Sequence, residues 1–379
     1  MSILLTTEEG WIISHLHYLN DIYKHVQHEQ QYKTLQIKET FFKITSPYLR
    51  QNQIERLNKI ESNNYSSSNR KRKMLHKLPH NILEQNDFVK DASQKILKKA
   101  QALKLFKKIA EDNNVESREE SKKFFTTFPC TTYKFYGSNT KETPIIAEFQ
   151  NEKYVFPEYS EFYCYDIRQI QEVFSFSKNF DLILLDPPWW NKSIRRKRKK
   201  HHESSYNMMH DKELTKIPVG NLLSSKGIVA VWCTNSSTHL NSILYEIFPN
   251  WGVTFMAKWY WLKITQNGEM ICNFNEVHGK QPYELLIFGT TDTKLIFKIP
   301  DQKIVISVPS AVHSHKPPLT EILKFYLPNH SNCMEIFARY LLPKWTSWGL
   351  EVLKFQHSSL YNTIEKEEKS EDNDNYCKS

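Results

Sequence analysis

The sequence predicts an α/β fold: a largely parallel, helix-covered sheet preceded by a mostly helical region. Three observations predict it. From about residue 130 onward, short β-type runs alternate with helix-length segments, the pattern of a parallel sheet with crossover helices. One run, DLILL at 181 to 185, is apolar without alternation, as a strand buried on both faces must be. A chain of 379 residues with 40% hydrophobic content is long enough for one large domain with an extension, or for two domains.

In chain order, residues 1 to about 60 have an irregular helical texture, and 61 to 81 turn polar and then basic, as a linker or exposed loop would. Within that linker, Arg70, Lys71, Arg72 and Lys73 have the composition of a nuclear import signal, and the expected location is nuclear, with the cytosol as an additional one. Val89, Ala92, Ile96, Ala100, Leu103, Phe106 and Ile109 recur at helical spacing and predict a helix over 87–111, capped at Asn86 and Asp87. Its opposite face carries Lys90, Lys95, Lys98, Lys99, Lys104, Lys107 and Lys108, read first as a solvated face and second as a phosphate contact. Strands are predicted at 145–149, 162–165, 182–185, 228–233, 253–261, 284–288, 304–308 and 333–337, with helices at 211–224, 236–248 and 318–327. The implied division is an accessory region at 1–129, a catalytic domain at 130–358 and a charged, disordered tail at 359–379.

A formal charge of +9 favours a polyanionic partner. No stretch of 18 apolar residues occurs and the first residues lack a signal-peptide pattern, so an intracellular, soluble protein without a membrane partner is expected. Six cysteines without a C-x-x-C pair signal neither a metal site nor a disulfide framework. None of the nine glycines forms G-x-G, so a nucleotide-like cofactor must be held without the usual glycine loop.

The chemistry concentrates in LLDPPWWNKS, residues 184 to 193. Asp186 ends the apolar strand, where ligands sit in open α/β sheets. Pro187 and Pro188 lack N–H groups and make a stiff turn whose carbonyls are expected to be free acceptors. A carboxylate, a carbonyl and the Trp189 ring together suit a flat ligand that bears an amine. Methylating an adenine N6 amine requires drawing a delocalised nitrogen toward tetrahedral geometry. The Asp186 side chain and Pro187 carbonyl would do this by accepting its two N–H bonds, with Trp189 stacking on the base at about 1–3 kcal/mol.

The DPPW tetrapeptide with its trailing NKS resembles the signature of the MT-A family of adenine amino-methyltransferases, most similar to its methyltransferase-like protein four branch. The resemblance extends through VWCTN (231–235), KWYWLKIT (258–265), KQPYELLIFG (280–289), VPSAVHSHKPPL (308–319) and EIFARYLLPKWTSWGLEVLKFQH (335–357), in family order. It implies a Rossmann-like methyltransferase sheet with helices on both faces and S-adenosylmethionine as cofactor. By position it assigns Tyr165, Asp166 and Ile167 to the cofactor adenine and Lys316 to its carboxylate. Phe337, Arg339, Trp348, Gly349, Leu350 and Glu351 fall around the ribose, and Asp186 borders the cofactor as well as the base. His315 is read as either a structural histidine or part of this motif. Catalysis is assigned to Asp186, Pro187, Pro188 and Trp189, with no metal.

Two departures stand out. Leu350 takes the place of the family's usual Asn, which removes a hydrogen bond to the ribose. After NKS the chain inserts a basic run, and Lys192, Arg195, Arg196, Lys197, Arg198, Lys199 and Lys200 are expected to bind nucleic acid phosphates. The implied function is N6-adenine methylation of RNA, with small nuclear RNA adenosines carrying a 2′-O-methyl group as the substrate the branch suggests. DNA adenine stays open as a substrate, and a silent RNA-binding partner of another methyltransferase as the alternative. The expected state is a monomer, with a hetero-partner left open.

Overall fold

The computed structural model describes residues 2–48, 80–107, 109–110, 113–127, 134–190, 208–274, 281–295 and 298–364. Its strands in chain order are β1 (Ile3–Thr6), β2 (Gly10–Ile13), β3 (Val26–His28), β4 (Gln31–Ile37), β5 (Phe135–Asn139), β6 (Ile145–Phe149), β7 (Glu152–Phe156), β8 (Ser160–Cys164), β9 (Phe180–Leu185), β10 (Leu223–Cys233), β11 (Thr254–Lys263), β12 (Tyr283–Thr290), β13 (Lys303–Ser307), β14 (Cys333–Ile336), β15 (Trp345–Trp348) and β16 (Tyr361–Ile364). The longer helices are α1 (His15–Ile22), α2 (His80–Ala102) and α3 (Val115–Thr127). An 11-stranded sheet runs β1-β2-β13-β11-β12-β10-β9-β14-β15-β8-β5, and a 5-stranded sheet runs β16-β4-β3-β6-β7.

The run from β10 through β9, β14 and β15 to β8 is parallel. Elsewhere the large sheet is mixed: β12 lies antiparallel to both neighbours, as do the outermost strands β1 and β5 to theirs. β9 explains its own apolar run: Leu182 and Leu184 enter one core layer, Ile183 and Leu185 the other. Helices cover both layers, with α2 on the face of Ile183 and α1 on the face of Leu182. The α/β class with helices on both faces holds.

The expected boundary at 129/130 is crossed by pairing in both sheets. β2 pairs in parallel with β13, where a Cβ on Gly10 would lie 1.9 Å from the Ile304 carbonyl oxygen, so only glycine fits. The small sheet interleaves β3 and β4 with β6, β7 and β16. Residues 361–364, expected in the tail, form β16 and pair with β4; residues 365–379 lie outside the described residues. Helix α2 starts at His80 rather than at an Asn86/Asp87 cap. Gln85 and Asn86 occupy buried positions on its apolar stripe, where Gln85 donates to the Tyr283 hydroxyl (2.9 Å) and that hydroxyl donates to Asn86 (2.6 Å). Of the basic linker, all but His80 and Asn81 falls outside the described residues. The helix expected at 211–224 is two single turns, Asp211–Leu214 and Val219–Leu222, parted by Pro218, and β10 follows from Leu223. Among the described residues, no helix is long and apolar enough to cross a membrane.

Candidate active site

Asp186 follows β9 directly, its N–H aimed at the Ile336 carbonyl of β14 (3.4 Å). The two prolines after it make the expected turn, but its carbonyls are engaged: Trp189 N–H donates to Pro187 O (2.8 Å) and Met209 N–H to Pro188 O (2.9 Å). Each keeps one lone pair for a ligand. The Trp189 ring is packed rather than presented. It is 7% exposed, its indole N–H donates to Trp232 O (2.9 Å), and its ring lies 4.8 Å from that of His239, which Asp211 holds at 3.0 Å. The expectation that Trp189 offers a stacking face is therefore corrected. An indole following a strand at a sheet edge buries more area by turning inward.

Beside Asp186 lies a chain of alternating charges. Lys316 Nζ sits 3.5 Å from Asp186 Oδ1 and bonds Glu284 Oε2, while the other Glu284 oxygen takes Lys263. Both lysines also lie over indoles, Lys316 at 5.4 Å from Trp232 and Lys263 at 4.3 Å from Trp261. Burial raises the Asp186 carboxyl above its ordinary range, against the pull of Lys316 and Arg339. For Lys316 burial acts to lower the value, yet Asp186 and Glu284 outweigh it and hold the ammonium above its usual range. Burial likewise acts to raise Glu284, and Lys263 and Lys316 overcome it, keeping that carboxyl well below its usual range. Sequence reasoning quoted the segments of Glu284 and Lys263 without giving either residue a role. The available signal was a single acid in the apolar strand YELLIFG.

A cleft opens at the carboxyl ends of β8, β15, β14 and β9. Tyr165, Asp166 and Ile167 line it after β8, Asp186 and Pro188 after β9, Phe337 and Arg339 after β14, and Trp348, Gly349, Leu350 and Glu351 around the end of β15. Of the residues expected around the cofactor only Lys316 is not in the lining, and it reaches the edge through Asp186. Arg168, Met209 and Ala338 line it as well and were not foreseen. Phe337 adopts a left-handed backbone (φ 65°), a conformation that favours glycine. Gly349 is required at its position, because a Cβ would approach the Ala338 oxygen to 2.5 Å. Glu351 is engaged by Arg339 (3.0 Å) and Lys354 (2.6 Å). Asp166 accepts from the Arg168 backbone N–H (2.9 Å), and the Arg168 guanidinium spans from Asp166 (3.2 Å) to Glu213 (2.7 Å). In the wall, the buried Trp348 Nε1–H finds no acceptor among the described residues. Leu350 stands 39% exposed at the rim.

His315 is structural: its ring stacks on Phe355 at 4.2 Å, meets His15 edge-on at 4.3 Å, and burial pushes it down to about 3. Lys192 and the Arg195 to Lys200 run lie outside the described residues.

Residues 180–351 match the MT-A70 family model. The N(6)-adenine-specific methyltransferase METTL4 of Mus musculus is 39% identical over 230 residues, 58% of this chain and 47% of that protein, and its Homo sapiens counterpart is 38% identical over 238 residues, 60% and 49%. A DNA N6-methyl methyltransferase of Caenorhabditis elegans is 31% identical over 220 residues, 57% of this chain and 58% of that one. The N6-methyladenosine RNA methyltransferase MTA1 of Pyricularia oryzae is 34% identical over 196 residues, 51% of each. The chain spans about half the length of the curated relatives it matches. The segment that matches the MT-A70 model, residues 180–351, holds DPPW and most of the strand ends that frame the cleft.

Proposed function

We propose that this protein transfers a methyl group from S-adenosylmethionine to the N6 amine of adenine in RNA. The observation that carries the proposal is the Asp186 carboxylate, 15% exposed at the end of β9, between the cleft and the Lys316–Glu284–Lys263 chain. The cleft's donor set fits the cofactor: the Trp348 N–H stands unpaired in the wall, Asp166 offers a carboxylate, and the Lys316 ammonium lies behind Asp186 at the cleft's edge. Tyr165, Ile167 and Phe337 would flank its adenine and ribose, and Lys316 its carboxylate. When bound, the cofactor supplies an electrophilic methyl group.

The chain's own residues do the rest. Asp186 accepts one N–H of the target amine, and we assign the other to the remaining lone pair of the Pro187 carbonyl, which already accepts from Trp189 N–H. Positive charge developing on that nitrogen is stabilised by Asp186, whose position Lys316 holds. Glu284 keeps Lys316 from neutralising Asp186 completely, since it shares the ammonium. Relatives named for N6-adenine methylation support this chemistry; one is named for RNA and another for DNA, so the polymer is our assignment. The basic insert after NKS and the charge of +9 suit a polyanion of either kind. Leu350, with no polar group at the rim, favours a second reading, a weak or silent partner. Tritium transfer from labelled cofactor to an adenosine oligonucleotide tests the first: transfer that is lost with Asp186→Ala supports it, and none in the wild type supports the second.

A further inference from the structure

Between Asp91 and Glu111 the sequence is rich in lysine and holds no acid. The fold turns that stretch into a surface. Val89, Ala92, Ile96 and Ala100 of α2 lie in the core, and the opposite side exposes Lys95, Lys98 and Lys99, followed past the helix end by Lys104 and Lys107. Lys95 reaches Glu9 at 3.7 Å; among the described residues none of the other four pairs with an acid. A lysine face that only solvates a helix alternates with acids one turn away, whereas Lys95 has Lys98 and Lys99 there, an arrangement that destabilises the helix. The helix dipole favours cations in the last turn alone, so it accounts for Lys99 and not for Lys104 or Lys107. Charge of one sign, kept without partners and against the helix's own preference, suits a polyanion.

Its placement indicates which one. β11, β10 and β9 run in the same direction, so the loop after β11 opens at the same strand ends as Asp186. The chain turns at Lys104 (φ 55°), where Leu105 N–H donates to Ala100 O (3.1 Å), and then fastens to that loop. Ile109 N–H donates to Asn267 Oδ1 (2.9 Å), and a Cβ on Gly268 would lie 2.5 Å from Phe106 Cδ2. Asn267 is at most about 14 Å of chain beyond Lys263 of the site. Glu9, the partner of Lys95, precedes β2 at the opposite strand ends. The lysines therefore follow a path toward the ends where Asp186 sits. A basic helix can also lie on a bilayer, but that needs its apolar side, which here is buried in the core.

We propose that Lys98, Lys99, Lys104 and Lys107 are a docking surface for the phosphate backbone of the single-stranded RNA whose adenine enters the site, an inference that rests on the RNA reading above. The surface supplies affinity without choosing among bases.

The test sets the combined variant Lys98→Gln, Lys99→Gln, Lys104→Gln and Lys107→Gln against a second, Lys153→Gln, Lys226→Gln, Lys294→Gln and Lys324→Gln. The second removes the same charge from exposed positions elsewhere. Binding of a labelled single-stranded oligoribonucleotide is read by fluorescence anisotropy across a salt series, with Tm as the check on folding. The first variant should lose about 4-fold in affinity near 0.15 M salt for each phosphate contact removed, and its log-log salt slope should flatten by up to roughly 0.7 per contact. The second should stay close to wild type, as should arginine at the first four positions. No RNA binding by wild type, no loss in the first variant, or equal losses in both, overturns the surface. So does a first variant that keeps RNA but loses binding to phosphatidylserine vesicles, which would make the partner a lipid. None of these readouts needs turnover. RNA held through the four lysines by a protein that transfers no methyl group leaves the surface standing and sinks the methyl-transfer reading.

Discussion

Replacing Glu284 by glutamine keeps its shape and removes the charge that Lys263 and Lys316 share. Side-chain exposures of 25% for Glu284, 20% for Lys263 and 10% for Lys316 leave little water to compensate. Removing one partner of a buried pair costs about 3–5 kcal/mol, and the partial exposure here brings the expectation to about 2–3 kcal/mol. At about 2.1 cal/mol/K of unfolding entropy per residue, 379 residues give about 0.8 kcal/mol/K, so Tm should fall by about 3 °C. The pH dependence carries the sharper test. Glu284 is held below its ordinary value of 4.5, so its contribution is fully present above that pH and is lost as pH falls toward the folded value. Between pH 7 and about pH 3.5 the wild-type advantage should shrink by about 1.4 kcal/mol. Scanning calorimetry of both proteins at the two pH values decides it. A Tm gap as wide at the lower pH as at pH 7 would refute the claim that shared charge, rather than packing, makes Glu284 stabilising.

Asp186→Ala should abolish methyl transfer in the tritium assay with Tm nearly unchanged, since Lys316 keeps Glu284 as partner. Leu350→Asn should tighten S-adenosylmethionine binding about 2- to 13-fold, the worth of one net hydrogen bond, as read by titration calorimetry. Alanine at all six positions from Arg195 to Lys200 should weaken cognate and scrambled RNA alike and flatten the log-log salt dependence by up to roughly 0.7 per lost phosphate contact, measured by fluorescence anisotropy.

β9 and the loop after it were legible because a strand buried on both faces must be apolar throughout, and a Pro-Pro turn after it can only end the strand. The cleft residues came from the family resemblance; no spacing alone connects Asp166 with Leu350. Other features stayed hidden for physical reasons. Gln85 and Asn86 interrupt the apolar stripe of α2 because they serve a buried tyrosine hydroxyl, and so the helix start moved. β1 and β2, at one end of the large sheet, have four residues each, too short for a periodic pattern to stand out. Trp189 reads identically in sequence whether it turns to a ligand or to the core, and only the acceptor at Trp232 distinguishes the two.

The interleaving of the two sheets bears on what can be cut from this molecule. The segment 180–351 that sequence similarity picks out contains β9 through β15, yet β13 leans on β2 and β15 on β8, both of which precede it. Excised, that segment would carry two raw strand edges, one presenting Ile304 and Ile306 and the other Trp345 and Trp348, ready templates for self-association. A unit of shared ancestry is thus not a unit of cohesion here. A minimal soluble fragment has to be drawn around hydrogen-bond partners, and it keeps the first strands of the chain together with the site they never touch.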